Sequence, residues 1–383
     1  MSELQLFINI STFSMNIAVI TYDYPDVLRP VYPFVKALVD EWGKMEHEVT
    51  VISPFSITRA RSLTRYKELA HAESVQIIRP KIVSFSYRLK FGNQSLTDRI
   101  HSRAVDNCLK KLAQKPDVIY CHFWKEAMFA YKYAEKNDIP LVVASGESDL
   151  PTFLEKEPFL SQCNKVSKVI CVSSKNKKES IEKGLTTKEK CIVLPNAIDN
   201  TLFRVSDQQE LKKKLGIKTD HFVVAFVGWF NERKGAKRVS AALSKLANPN
   251  IKAIFIGEGE AEPDYPGIIF KGRIPHDEIP KYLNCADVFV LPTLREGCCN
   301  AIVEAMACGL PVISSDKEFN WDILDETNSI MVDPTDVDSI ATAINRLYEN
   351  KGVRLSMRKT TLKKVEGLTI ESRAKRIIEF IIS

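Results

Sequence analysis

Glu296 and Glu304 stand at the two ends of an E-x7-E spacing in the run REGCCNAIVEAMACGLP, residues 295–311, and this pair is the best starting point for any chemistry in the chain. The apolar stretch before it, 286–292, suits a buried strand, and 301–308 is rich in helix formers. Gly309 stops that helix and Pro311 opens the next strand. Glu296 therefore falls in a loop at a strand's carboxyl end, with Glu304 about one turn into the helix that follows. Both can face the crevice where open parallel sheets bind ligands. Between them Gly297, Cys298, Cys299 and Asn300 offer amides at a helix N-terminus, a place for phosphate or sugar hydroxyl oxygens. In isolation two glutamates at this spacing are ordinary surface carboxylates, so their meaning comes from what surrounds them.

Positive charge comes from a second strand-loop-helix unit, HFVVAFVGWFNERKGAKRVSAALSKL. Gly228 permits close backbone approach, and Lys234 and Gly235 stand at the entrance of a helix with Val239, Ala242, Leu243 and Leu246 on one face. A diphosphate there would meet a cation and helix amides together. Earlier in the chain His122 ends the strand DVIYC at its carboxyl edge, and Glu147 and Asp149 lie in the loop SGESDL. Asp149 could equally cap the segment PTFLEKE. The triplet Asp336-Val337-Asp338 is formally D-x-D, but it sits where an acidic first turn would begin a helix, so no metal is expected there.

The elements that position these residues alternate strand and helix from Met15 onward, beginning MNIAVIT, then a helix over FVKALVDEWGKMEHE, then VTVISP. At 383 residues the chain is long enough for two cores. Nine cysteines without a C-x-x-C pair suit a reduced cytosolic protein, and Cys298 with Cys299 lacks further ligands at metal spacing. No segment approaches the roughly 18 apolar residues that span a bilayer. Residues 1–14 lack a basic n-region and read as an extension without catalytic duty. The net charge of +6 is uneven: residues 56–115 hold 13 Lys plus Arg against 4 Asp plus Glu. Such a section is either a solvated face or a patch for an anionic acceptor or anionic membrane surface. Nucleic acid is not expected as a partner, for the chain shows no recognition helix, zinc spacing or RNP-like motif.

The run 295–311, with FKGRIPHDEIPKYLNCADVFVLPT before it, resembles the family-4 retaining glycosyltransferases. That family has the α/β GT-B fold, two Rossmann-like domains facing a central cleft, and the likeness covers most of the chain from Met15. The resemblance implies that Glu296 touches the donor sugar and Glu304 holds the ribose hydroxyls. It implies that Lys234 is one of two cations on the diphosphate, that Arg273 and Ile274 set backbone groups against the base, and that His122 lies near acceptor and donor hydroxyls; SGESDL resembles the family's Gly-Ser-Asp segment, which makes Glu147 and Asp149 hydroxyl binders on the acceptor side. NAIDNTLF, 196–203, resembles the family's Asn-Gly-Val-Asp-x-x-x-Phe at the interdomain linker. Two departures stand out. Trp229 occupies the place of the second cation, which passes to Arg233, and Arg29, Pro30 and Tyr32 replace a glycine pair in the first loop. Arg29 is accordingly assigned to supply charge in place of that backbone contact or to serve the acceptor.

The implied organisation is an acceptor domain over 15–203, a nucleotide-sugar donor domain over 204–366, and a last helix, 367–383, packing back on the first. The implied reaction is transfer of a hexosyl group from a UDP- or GDP-sugar to a glycan or lipid-linked glycan of the cell surface, without metal or cofactor, in the cytoplasm or on the membrane's inner face. The implied catalytic residues are Glu296, His122 and Lys234. A catalytically impaired partner in a glycosylation complex is the alternative, supported by Trp229 and the missing glycine pair. Phosphorylases and sugar-nucleotide epimerases share the architecture, but neither a pyridoxal phosphate lysine site nor the epimerase acid and histidine set is found in this sequence.

Overall fold

The computed structural model describes residues 14–27, 29, 31–58, 67–86, 88–91 and 94–383. The expected N-terminal extension lies outside these residues except for Ser14, and so do parts of the basic section. The chain divides into two compact units, the first running up to Val172 with Asn176–Leu194 and Ala374–Ser383, the second comprising Ser173–Lys175 and Pro195–Arg373. The crossings thus fall at Pro195 and Ala374, against the expected 204 and 367. The reason is local: Asn196 Nδ2 already donates to the Cys298 carbonyl (2.9 Å) and to Asn300 Oδ1 (2.7 Å), and Ile198 is bridged to Thr369.

In the first unit the strands are β1 (Asn16–Ile20), β2 (Glu48–Ile52), β3 (Val75–Ile78), β4 (Val118–His122), β5 (Leu141–Ser145), β6 (Lys168–Cys171) and β7 (Cys191–Val193). They form one parallel sheet in the order β7-β6-β5-β4-β1-β2-β3. Strands β4 and β5 are buried along their whole length and read as unbroken apolar runs because helices cover both faces. Trp42 of α1 (Pro33–Lys44) packs on one face with Ala374, Ile377 and Ile378 of the C-terminal helix Ile370–Ile382. On the other face lie Val105 and Leu109 of α2 (Leu96–Leu109) and Trp124, Ala127 and Phe129 of α3 (Trp124–Asn137).

The second unit repeats the scheme with β8 (Phe222–Val227), β9 (Ile251–Ile256), β10 (Ile268–Gly272), β11 (Val288–Leu291), β12 (Val312–Ser315) and β13 (Ser329–Val332). Their parallel order is β10-β9-β8-β11-β12-β13. The helices that matter to the site are α4 (Ala236–Leu246), α5 (Asn300–Ala307) and α6 (Val337–Glu349). In each sheet the strand order reverses beside the unit's first strand, between β1 and β4 and between β8 and β11. A crevice opens at such a switch point, above the carboxyl ends of the strands. Lys234 follows β8, Glu296 follows β11 and His122 ends β4, so each stands at its own unit's switch point.

Two local expectations resolve differently. Asp149 is no helix cap: the turn that follows is a 3-10 segment, Thr152–Glu155, with Pro151 at its cap. Asp336 does cap α6, its carboxylate accepting from the Asp338 amide at 2.9 Å. No helix of the described residues is long and apolar enough to cross a membrane.

Candidate active site

The second unit's site is built from the loops after β8 and β11. Lys234 Nζ lies 2.6 Å from Glu296 Oε1, and Arg233 Nη1 reaches the same oxygen at 3.0 Å. Thr293 Oγ1 donates to it at 2.8 Å, and Arg233 Nη1 also donates to the Arg295 carbonyl at 2.8 Å. Glu296 and Thr293 are buried, so the carboxylate has little water to turn to and is satisfied by these three donors instead. Burial works against the charge on Lys234, but Cys299 and Glu296 together hold its pKa above the ordinary lysine value. Lys234 is therefore a permanent cation, and its ammonium also lies 3.6 Å from Cys299 Sγ.

Gly235 allows these two loops to meet, and Gly257 lets the turn after β9 approach the one after β8. Gly235 starts α4 with φ +84°, a conformation that a side chain resists, and a Cβ there would come 3.0 Å from the Pro292 carbonyl oxygen. At Gly257 a Cβ would lie 1.9 Å from the Gly228 carbonyl oxygen, so the turns after β8 and β9 can touch only without it. The stem of Lys234 runs past Gly228.

Cys299 occupies the N-cap of α5 without a side-chain cap bond, and the amides of residues 297–300 have no protein acceptor among the described residues. Asn196 pins this loop through Cys298 and Asn300, as noted above. Burial raises the thiol pKa of both Cys298, to about 12, and Cys299, which leaves two neutral thiols in the loop. Among the described residues no three His, Cys, Asp or Glu side chains are grouped to hold a metal.

Glu304 stands apart from this cluster. Its Oε1 lies 2.9 Å from His276 Nε2, and Phe203 packs on the imidazole at 5.2 Å. Burial pulls the His276 pKa down, but Glu304, Asp277 and Asp199 more than offset it and the net shift is upward. Beside this pair Gly228, Trp229, Gly257, Glu258, Arg273 and Ile274 line a cleft of about 220 Å³. Arg273 pairs with Glu258 at 3.0 Å, and Trp229 stands 57% exposed at its edge.

On the first unit His122 is nearly buried among the rings of Phe123 (4.3 Å), Phe34 (5.2 Å) and Tyr32 (5.9 Å). Phe123 turns the chain from β4 into α3 at φ +89°, a region costing a non-glycine residue about 1–3 kcal/mol. Glu147 is engaged inside the unit: its carboxylate accepts from the Trp124 amide (2.9 Å) and the Ser145 hydroxyl (3.2 Å). Burial nevertheless raises its pKa against those donors. Asp149 is exposed two residues on. Arg29 pairs with Asp26 at 2.8 Å and lies over the Phe55 ring at 5.0 Å. Glu126, 3% exposed on the first turn of α3, is pushed up to about 8 by burial, helped by Glu147 and Asp23.

The structure thus gathers Arg233, Lys234, Glu296 and Cys299, places Gly228, Arg273 and Ile274 on one cleft, and gives Glu304 a separate partner. Sequence reasoning did not single out Thr293, His276, Asn196 or Glu126. The first three lie inside the runs that carry the family likeness, but only tertiary contact shows whom they serve. Glu126 left no signal, since a glutamate in a first helical turn is commonplace.

Two parallel α/β units, the second presenting two cations and a carboxylate at a helix N-terminus, have the design of a GT-B glycosyltransferase. Residues 33–202 match the family described as Glycosyltransferase Family 4, and residues 207–364 match Glycosyl transferases group 1. The chain belongs to the family-4 glycosyltransferases. It is 28% identical over 362 residues to TuaC of Bacillus subtilis, a glycosyltransferase whose name provisionally assigns it to teichuronic acid biosynthesis, with 88% of this chain and 90% of that one covered. It is 26% identical over 300 residues to the UDP-Gal:alpha-D-GlcNAc-diphosphoundecaprenol alpha-1,3-galactosyltransferase of Escherichia coli, covering 72% and 76%. Among solved structures, sucrose-phosphate synthase from Thermosynechococcus elongatus superposes with a TM-score of 0.75 over 95% of this chain and 98% of its own, at 17% identity. Anabaena Alr3699/HepE, solved with UDP and glucose, does so at 0.70 over 96% and 99%, at 18% identity. At these identities the two structures establish the shared fold.

Proposed function

We propose that this glycosyltransferase moves a hexosyl group from a UDP-sugar to a glycan or lipid-linked glycan in cell-surface polysaccharide synthesis, with retention at the anomeric carbon and without a metal. The observation that carries this reading is the convergence of Lys234 and Arg233 on one oxygen of Glu296 beside the N-terminus of α5. In the step proposed, the bond from the anomeric carbon to the diphosphate breaks and the acceptor oxygen bonds that carbon on the same face. The acceptor proton passes to an oxygen of the departing phosphate. Lys234, Arg233 and the amides of 297–300 meet the charge that develops on the diphosphate, fixed in place before it appears. Glu296 orients the sugar, Glu304 holds the ribose, and the cleft at Arg273 and Ile274 takes the base. His122 with its aromatic surround is assigned to the acceptor side.

The choice of UDP and of a lipid-linked acceptor is supported by the name of the Escherichia coli relative and by the UDP complex of HepE. A lipid anchor would bring the enzyme to the inner face of a membrane. The basic section supplies a surface for it: Lys81, Arg88, Arg99 and Arg103 are exposed, together with Ile57, Val83, Phe85 and Leu89. The second reading, a catalytically impaired partner, is favoured by exposed Trp229 at the place of a family cation, but Arg233 already supplies a second cation at Glu296. Release of free sugar from a UDP-sugar separates the two, because a competent site leaks some donor to water.

The direct test incubates the enzyme with UDP-hexoses and a diphosphopolyprenyl-linked saccharide in EDTA, then reads the new linkage by NMR. An α-configured donor should give an α-linked product. A β-linked product, a strict need for added divalent metal, or neither transfer nor hydrolysis with any nucleotide sugar would overturn the reading.

A further inference from the structure

Glu304 projects from the second turn of α5 on a side chain with three rotatable bonds, and a carboxylate free to swing would hold two vicinal hydroxyls poorly. It is not free to swing. Oε1 is engaged by His276 Nε2 at 2.9 Å, while Oε2 has no hydrogen-bond partner among the described residues. The imidazole is itself held, by the tilted ring of Phe203 at 5.2 Å and by its place at the head of the 3-10 turn His276–Glu278 after Pro275. The same loop carries Arg273 and Ile274 into the neighbouring cleft. A single hydrogen bond therefore links the loop that lines the cleft to the carboxylate on α5.

We propose that His276 is a positioning residue: by holding Oε1 of Glu304 it presents Oε2 to the ribose diol of the donor nucleotide, and so sets how strongly the enzyme distinguishes ribose from a sugar lacking those hydroxyls. This inference rests on the donor reading above. His276 does not touch the reacting atoms. Its effect is confined to ligands that carry the diol, because it acts only through Glu304. This pattern follows from the general behaviour of sites whose functional group is fixed by a second layer of hydrogen bonds.

The test is calorimetric titration of UDP and 2′,3′-dideoxy-UDP into wild type, His276→Ala, His276→Gln and Glu304→Ala. His276→Ala should weaken UDP about tenfold and leave dideoxy-UDP within about twofold, as Glu304→Ala does more strongly. His276→Gln, which places an amide N–H where Nε2 stood, should recover most of the loss. The side chain of His276 is 39% exposed, and unchanged dideoxy-UDP affinity doubles as the check that the variants fold. Equal weakening of both nucleotides by His276→Ala would make the residue merely structural and overturn the inference. So would a diol preference lost in Glu304→Ala but intact in His276→Ala, an outcome that leaves the donor reading standing. If wild type binds neither nucleotide, the donor reading falls and the inference with it.

Discussion

Glu296 Oε1 is shared by two cations, Lys234 at 2.6 Å and Arg233 at 3.0 Å, so one carboxylate offsets part of the repulsion between a pair of like charges. The consequence for stability is asymmetric. Glu296→Gln leaves both cations facing one another without an anion and should cost roughly 2–4 kcal/mol, near the loss expected on breaking a buried pair. Lys234→Met leaves Glu296 still bound by Arg233 and Thr293 and should cost less. Urea unfolding of the two variants decides the order, and the reverse order would contradict the shared-oxygen account. For turnover the ranking inverts: Lys234→Met should lower kcat about 10²–10³-fold, the usual cost of removing a group aimed at developing charge.

Gly257→Ala should be far more damaging than Gly272→Ala. Both have φ near +150°, but the added Cβ would meet the Gly228 carbonyl oxygen at 1.9 Å in the first case and nothing within 4 Å in the second. The shared backbone strain costs about 1 kcal/mol in each, and the clash should add several more at Gly257 alone. Equal midpoints in urea for the two variants would show that the turns after β8 and β9 are not held in this contact.

The fold was legible because the chain alternates apolar strand runs with amphipathic helices, and the runs around β8 and β11 placed Lys234 and Glu296 at strand ends before any contact was known. Legibility stopped at partnership. Arg233 enters the reading of the sequence only as a substitute for the cation missing at Trp229, and its bond to Glu296 depends on two loops 63 residues apart meeting where Gly235 leaves room for the Pro292 carbonyl. His276 and Thr293 sit within the most informative runs, yet hydrogen-bond partners are not written in spacing. Glu147 shows the same limit: its place in a loop at a strand end is legible, but its bonds to the Trp124 amide and the Ser145 hydroxyl are not.

Glu126 makes a pH prediction. Its carboxyl is pushed up to about 8 when folded, against a model-peptide value of about 4.3 for an unfolded chain. The folded state therefore keeps a proton that the unfolded state gives up, and this group's contribution falls as pH rises from about 4 through about 8. Glu126→Gln removes the penalty. It should be more stable than wild type at pH 8, by on the order of 2–4 kcal/mol, with the gap closing toward pH 5. A gap independent of pH, read by thermal unfolding across that range, would rule this out.

Membrane docking can be separated into its charged and apolar parts. Co-sedimentation with anionic vesicles should fall as salt rises, since each basic residue near such a surface contributes about 1 kcal/mol. Replacing exposed Phe85 and Leu89 with serine should weaken it further at fixed salt. Equal and negligible binding to anionic and neutral vesicles would remove the membrane from the account.

The central claim is that the loops around Lys234, Glu296 and Glu304 hold a UDP-sugar, and thermal unfolding tests it most directly. Wild type and Glu304→Ala would be unfolded with UDP-, GDP- and ADP-sugars in the absence of metal. A ligand at 100 times its Kd stabilises by about 2.7 kcal/mol, which moves the midpoint by several degrees. The expected result is a shift of wild type with UDP-sugars that Glu304→Ala loses. No shift with any nucleotide sugar, or an equal shift in the variant, would contradict the claim.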